Sequence, residues 1–265
     1  MDTIRLFAHS ARLLIRSGLA YPRAFFQQTL AQLVMMGGEL MAVLMIIDRF
    51  QGVGQWTGGD LLFLFGLMTL DFYLCEFFFR GITNFSPLIQ SGRLDAFMVR
   101  PRGILIQILC AEMDIRRLGS ILIGVVALLM GASLAHVRWT ATTVLTLLLS
   151  TAGTCALILG LFLIEAIFCV FSVRSIELVN ALTYGGRSAC QYPIDIYPRP
   201  LRVLFTVVAP FALTLHVPAA AVLQKPLLGW PAWAAFLTPL VGFAVFILMY
   251  QLFRLALRKY RSTGS

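Results

Sequence analysis

The chain has 265 residues, of which 59% are hydrophobic and 12% charged, with a mean hydropathy of +0.86. That leaves too little polar surface to coat a soluble globule of this size, so a polytopic membrane protein is expected. The net charge of +9 comes from 19 Arg and 2 Lys against 12 acids, but the basic residues cluster between apolar blocks, as topology signals facing anionic lipid do, and nucleic acid is not expected as a partner.

Taken in chain order, the first feature is basic. Arg5, His9, Arg12, Arg16 and Arg23 fall on one stripe of a helix, with Ile4, Phe7, Ala11, Leu14 and Ile15 opposite. Residues 1–22 therefore read as an amphipathic interfacial helix that Pro22 ends, although a basic flank that only orients the chain fits the same residues. The block near 24–47 is long enough, at about 1.5 Å per residue, to cross a hydrocarbon core of about 30 Å. It is longer than a signal-peptide core, carries Gln27, Gln28, Gln32 and Glu39, and is followed by no convincing cleavage site, so it reads as an uncleaved first crossing. Further spans are expected near 61–79, 118–135, 143–171 and 232–257. Lipid offers bare backbone no water, so apolar blocks of this length predict helices and an all-α fold. With the N-terminus in the cytoplasm, Arg80, Arg93, Arg100, Arg102, Arg116, Arg117, Arg174, Arg254, Arg258, Lys259 and Arg261 lie inside, and Arg49 and Arg138 outside. The positive-inside rule then puts both termini in the cytoplasm and makes the number of crossings even, most simply six.

The connection from Arg80 to Arg117 is too structured for a plain linker. Asn84-Phe85-Ser86-Pro87 reads as a helix start, with Ser86 as candidate N-cap and Gly92 as a stop. In the next segment, to Pro101, Leu94, Phe97 and Met98 share a face. A short amphipathic helix over 84–101 at the membrane surface suits helix-in-groove contact with a soluble partner, and interfacial padding suits the same pattern.

Two motifs carry a family likeness. The first is Gly92-Arg93-Leu94-Asp95 with Val99-Arg100-Pro101. The second runs Ala181-Leu182-Thr183-Tyr184-Gly185-Gly186-Arg187, then Gln191-Tyr192-Pro193-Ile194-Asp195-Ile196-Tyr197-Pro198, with Leu201-Arg202, Pro210 and Pro218 beyond. In these motifs and in its layout nearly the whole chain resembles the permease subunits of type-2 ATP-binding-cassette exporters, in the branch long filed as a domain of unknown function. The resemblance implies a single transmembrane domain over 1–265 in the bacterial inner membrane. It implies two ATPase subunits docked below, which bind the ATP and magnesium, and a second permease as homodimer or heterodimer. Coupling to the ATPase falls on Phe85, Leu88, Ile89, Gly92, Leu94, Asp95, Phe97, Arg100 and Pro101, and an external gate on Tyr192, Pro193, Tyr197, Pro198 and Pro210.

The C-terminal third supports two topologies. Hydropathy and charge favour 175–202 as a cytoplasmic loop, with Val203 to Leu223 as the fifth crossing. The family pattern favours 176–192 as the fifth span and 198–223 as an external re-entrant hairpin, and three prolines suit the broken hairpin better.

Glu39, Asp71, Glu76 and Glu165 fall within spans, where an ionisable group costs about 2.5 to 3.5 kcal/mol on insertion scales. They either line a path for cargo or protons or are neutralised between packed helices. Gly124 and Gly131, like Gly153 and Gly160, are seven apart and predict close helix contact, within one subunit or between two. Cys75, Cys110, Cys155, Cys169 and Cys190 contain no C-x-x-C pair and predict neither disulfide framework nor metal site. With no Gly-Lys dipeptide there is no phosphate-binding loop of the G-x-x-x-x-G-K type, so ATP hydrolysis is expected from a partner and the chain is not expected to be an enzyme. The alternative is a proton-coupled secondary transporter working through the intramembrane acids, which predicts an inverted repeat that the sequence does not display.

Overall fold

In lipid every span must satisfy its own backbone, and the chain does so with helices. The computed structural model describes residues 12–13, 20–50, 52–171, 176–227, 229–231 and 233–260. Most of the interfacial helix expected over 1–22, together with Arg174 and Arg261, lies outside them.

Helix α1 (Pro22–Phe50) begins at its proline, whose fixed φ and missing N–H suit a first turn. A two-residue antiparallel hairpin follows, β1 (Gly52–Val53) paired with β2 (Trp56–Thr57), and Gly54 at φ +62° makes its turn. Thr57 caps α2 (Gly58–Phe78) reciprocally: its hydroxyl accepts from the Asp60 N–H at 3.4 Å, and the Asp60 carboxylate accepts from the Thr57 N–H at 2.7 Å.

Helix α2 is the centre of the bundle, buried on nearly every face. Its 21 residues extend about 31 Å, enough for one crossing. Five short elements then form a platform at the far end: α3 (Arg80–Thr83), α4 (Phe85–Gln90), α5 (Arg93–Met98), α6 (Ile104–Leu109) and a 3₁₀ turn at Ile115–Arg117. Helix α7 (Leu118–Leu134) returns along α2 with the two backbones in contact. A Cβ on Gly124 would stand 2.8 Å from the Leu70 nitrogen, and one on Gly59 2.7 Å from that of Ala135, while Gly66 and Gly131 meet Leu128 and Phe63 more closely still. Glycine is required along this seam because any side chain would enter backbone.

Helix α7 stops in a left-handed turn at His136 (φ +52°), and α8 (Ala141–Phe171) descends beside both α2 and the last helix, α13 (Leu240–Lys259). Gly153 abuts Pro239 and Gly242, and Gly160 meets Val245 and Phe246. Both expected glycine pairs thus serve packing within one chain. Helix α9 (Ile176–Cys190) rises against α8 and α2, and its 15 residues extend about 22 Å. After a 3₁₀ turn at Ile194–Ile196 come α10 (Arg199–Val203), π-helical turns at Leu204–Val208 and Ala212–His216, and α11 (Val217–Val222). Residues 199–208 and 212–222 are bent by 84° across Pro210, and both ends of the pair lie at the end of the bundle that carries the β-hairpin. Tyr197 donates its hydroxyl to the Ala189 carbonyl at the top of α9, and Lys225 reaches Asp60. Ser150, about 14 Å down α8, donates to the Thr214 carbonyl, which measures how far the hairpin dips. A short α12 (Ala234–Leu237) leads into α13.

Among the described residues five helices are long and apolar enough to cross a membrane, Pro22–Phe50, Gly58–Phe78, Ile115–Leu134, Ala141–Val170 and Ala234–Lys259, or six if the bent pair is one span. The chain is an all-α polytopic membrane protein.

Candidate functional site

The platform has two faces. Phe85, Leu88, Ile89 and Leu94 are buried, and the Phe85 ring meets Phe253 of α13 edge-on at 5.5 Å. These expected coupling residues anchor the platform to the bundle. Gly92, Asp95 and Phe97 are half-buried, and Arg100 and Pro101 are exposed. Gly92, at φ +66°, joins α4 to α5 in a conformation that disfavours any Cβ. Asn84 precedes α4, and Ser86, the expected cap, sits inside the first turn and accepts instead from the Gln90 amide at 3.2 Å. The Gln107 amide, buried beneath the following loop, donates to the Phe97 and Arg102 carbonyls at 3.1 and 3.0 Å. Asp95 sits beside Tyr260 at the end of α13, and burial, then the Asp95 carboxylate, raises the Tyr260 phenol above its usual range. Outward, Met98 and Val99 are exposed, Val99 by 86%, between Arg93 and Arg100. An exposed apolar tip on a braced support is suited to docking a groove.

From the platform a ladder of charges climbs the side of α2. Asp114 receives a bidentate contact from Arg116 at 2.6 and 3.0 Å, with Arg117 at 3.5 Å and Arg80 at 3.9 Å. Arg117 contacts Glu76 at 3.0 Å, and the other Glu76 oxygen accepts from the Tyr184 hydroxyl of α9 at 2.9 Å. Tyr73 lies between two guanidiniums, Arg117 at 5.4 Å from its ring centroid and Arg187 at 4.9 Å. Arg187, also over Phe72, is 7% exposed and grips Glu39 of α1 at 2.6 and 3.4 Å. Cation–π contacts of this desolvated kind are each worth about 2 kcal/mol. Two of the four intramembrane acids, Glu39 and Glu76, are therefore ion-paired across helices. Asp71 is fully buried between α2 and α8; among the described residues no hydrogen bond within 3.5 Å reaches either carboxyl oxygen, and Thr151 is the polar side chain beside it. Glu165 is half-buried and has no ion pair among the described residues.

At the opposite end the expected gate residues are distributed. Tyr192 packs on the cluster of Val43, Leu62, Phe65 and Ala127, Pro193 and Pro210 are buried, Pro198 is exposed, and Tyr197 is tied to α9. Two contacts that the sequence reading did not foresee close this end. His216 of the hairpin packs on Trp56 with ring centroids 5.0 Å apart, and Lys225 binds both Asp60 and the Gln55 carbonyl at 2.8 Å. Along the open side of α9, Ala181, Tyr184, Gly185 and Ser188 form an exposed stripe.

A helical bundle with a braced platform at one end, a bent hairpin at the other and ion pairs between is the construction of a membrane transport subunit. The family comparison makes this specific: residues 33–264 match the model of the ABC-2 family transporter proteins, so the chain belongs to that family as a permease subunit of an ABC-2 type transporter. No curated protein and no solved structure matches. Membership implies a separate ABC ATPase partner and a membrane subunit without an ATPase site of its own.

Proposed function

We propose that this chain is the permease of an ATP-driven exporter in a bacterial inner membrane, coupled to its ATPase through residues 85–101. The observation that carries the reading is the platform itself: Met98 and Val99 project from the end of α5, whose Leu94 is buried in the core, and the adjoining α4 is anchored on α13 by Phe85 against Phe253. Force applied at that tip passes into the spans as a rigid-body tilt. The platform end faces the cytoplasm, because Arg23, Arg80, Arg93, Arg100, Arg102, Arg116, Arg117, Arg254, Arg258 and Lys259 concentrate there. Two copies, or this chain and a related permease, enclose the path along the open sides of α1 and α9, and ATP binding at two docked ATPases favours the state with low cargo affinity.

The test is co-purification. The tagged chain in mild detergent is expected to retain a soluble protein with a phosphate-binding loop and ATPase activity, and Val99→Asp is expected to lose it while eluting as a monodisperse, folded subunit. Retention by the variant places the contact elsewhere. Purification alone, with transport driven by a proton gradient, would favour the secondary-transporter reading, and Asp71 and Glu165 would then be the acids left for it.

A further inference from the structure

A cleft of about 560 Å³ opens where the platform meets the last two turns of α13, within the ~300–1,000 Å³ range of small-ligand sites. Its floor is apolar, with Phe253 and Leu257 buried, and its rim carries Arg102 from the loop before α6 and Arg254 and Arg258 from α13. All three arginines are exposed, none has an ion pair among the described residues, and no acid lines the cleft. Other cations of the platform have acids beside them: Arg80, Arg116 and Arg117 share Asp114, and Arg93 reaches Glu112 at 3.7 Å, while Arg100 lies outside this cleft over the Phe97 ring. The positive field here is therefore concentrated on three guanidiniums without counterions.

Position decides what can answer that charge. Ile247, Tyr250, Arg254 and Arg258 follow at helical spacing along one side of α13, from an exposed apolar residue to an interfacial phenol to two guanidiniums. Leu248, Leu252 and Leu255 beside them are also exposed, by 52%, 42% and 51%. A ligand seated here is apolar toward the bilayer and anionic at the platform, which is the polarity of a phospholipid with its acyl chains along α13. We infer that this cleft is a binding site for an anionic phospholipid of the adjoining leaflet, the phosphate held by Arg102, Arg254 and Arg258. A zwitterionic lipid presents the same phosphate but brings its own cation, which leaves the three arginines uncompensated. The inference takes from the proposed function only that the platform end faces the cytoplasmic leaflet, and lipid retention can be measured without ATP or transport.

The experiment is a lipid titration of the delipidated, detergent-purified full-length chain, read by native mass spectrometry and thermal shift, with phosphatidylglycerol, phosphatidylcholine and inorganic phosphate as probes. Phosphatidylglycerol is expected to bind in preference to phosphatidylcholine, with affinity falling as salt rises. Each Arg→Gln change is expected to weaken it about fivefold and the triple change about a hundredfold. The triple Arg→Lys variant is expected to keep most of the affinity. If the triple Gln variant does not elute as folded protein, Arg258→Gln alone, in the last turn of α13, reads the same fivefold. Unchanged phosphatidylglycerol binding in the Gln variants overturns the assignment. Full competition by inorganic phosphate at matched concentration assigns the site to a free anion instead, and loss of the ATPase from pull-downs with lipid binding intact assigns it to that partner.

Discussion

Replacing Glu39 by Gln isolates the ion pair that holds α1 to α9. Arg187 is 8% exposed along its side chain, and its guanidinium meets one acid, Glu39, the sulfur of Met36 and two aromatic faces. Without the carboxylate a cation remains at membrane depth with only ring quadrupoles to balance it. Breaking a buried pair from one side typically costs about 3–5 kcal/mol, and because the Glu39 end is 40% exposed the low limit applies, about 3 kcal/mol. Removing both charges together, as Glu39→Leu with Arg187→Met, is expected to return stability to within about 1 kcal/mol of the wild type, since well-packed apolar residues replace a buried pair at little cost. The assay is equilibrium unfolding in mixed micelles of dodecyl maltoside and sodium dodecyl sulfate, with Glu39→Leu and Arg187→Met also measured singly so that the double-mutant cycle closes. A coupling of about 2–3 kcal/mol is expected. If Glu39→Gln costs under about 1 kcal/mol and the two single changes simply add, Arg187 does not depend on Glu39 and the ladder reading fails.

Three further outcomes follow from the same contacts. Gly66→Ala places a methyl group into the Leu128 backbone and is expected to cost about 2 kcal/mol or more in the same micelles, whereas Gly37→Ala, with nothing within 4 Å, should gain about 0.5–1 kcal/mol from helix propensity; equal effects would contradict the seam. Gly92→Ala strains a left-handed residue and is expected to cost about 1 kcal/mol and to weaken ATPase retention, measured by thermal shift and pull-down; an unaffected variant would mean that the α4–α5 turn relaxes freely. Lys225→Met leaves the buried Asp60 carboxylate with only its Thr57 contacts, at about 2 kcal/mol, so hydrogen exchange across 199–222 should quicken about thirtyfold; unchanged protection would separate the hairpin from this clamp.

Five long helices were legible because they are written in composition: apolar blocks of membrane length announce helices whatever their partners. The glycine spacing in α7 likewise announced close packing, but a periodicity does not name the surface it meets, and only the fold shows Gly124 and Gly131 against Leu70 and Phe63 of the same chain. The facing of the platform residues was not readable, since short helices turn a side chain inward only where the rest of the fold meets it, as Phe253 of α13 meets Phe85. The ladder escaped for a similar reason. Arg187 lies 148 positions from Glu39, and nothing local ties them, though an arginine within an apolar stretch needs an acid, and Glu39 was among the candidates. Trp56 with His216 left no such trace, because each is an ordinary interfacial residue until the hairpin folds back.

The clamp between Lys225 and Asp60 also orders events during synthesis. Asp60 emerges near the start of the second span, and its cation follows 165 residues later. At about 5–20 residues per second the ribosome takes roughly 8 to 33 s to deliver it. Over that interval the long helices up to Ala141–Val170 are made while the acidic N-terminal turn of α2 still lacks its cation, held only by the Thr57 capping box. The β-hairpin end therefore stays unclamped until translation has passed the bent segment, and a chain truncated before Lys225 would leave Asp60 without its cation.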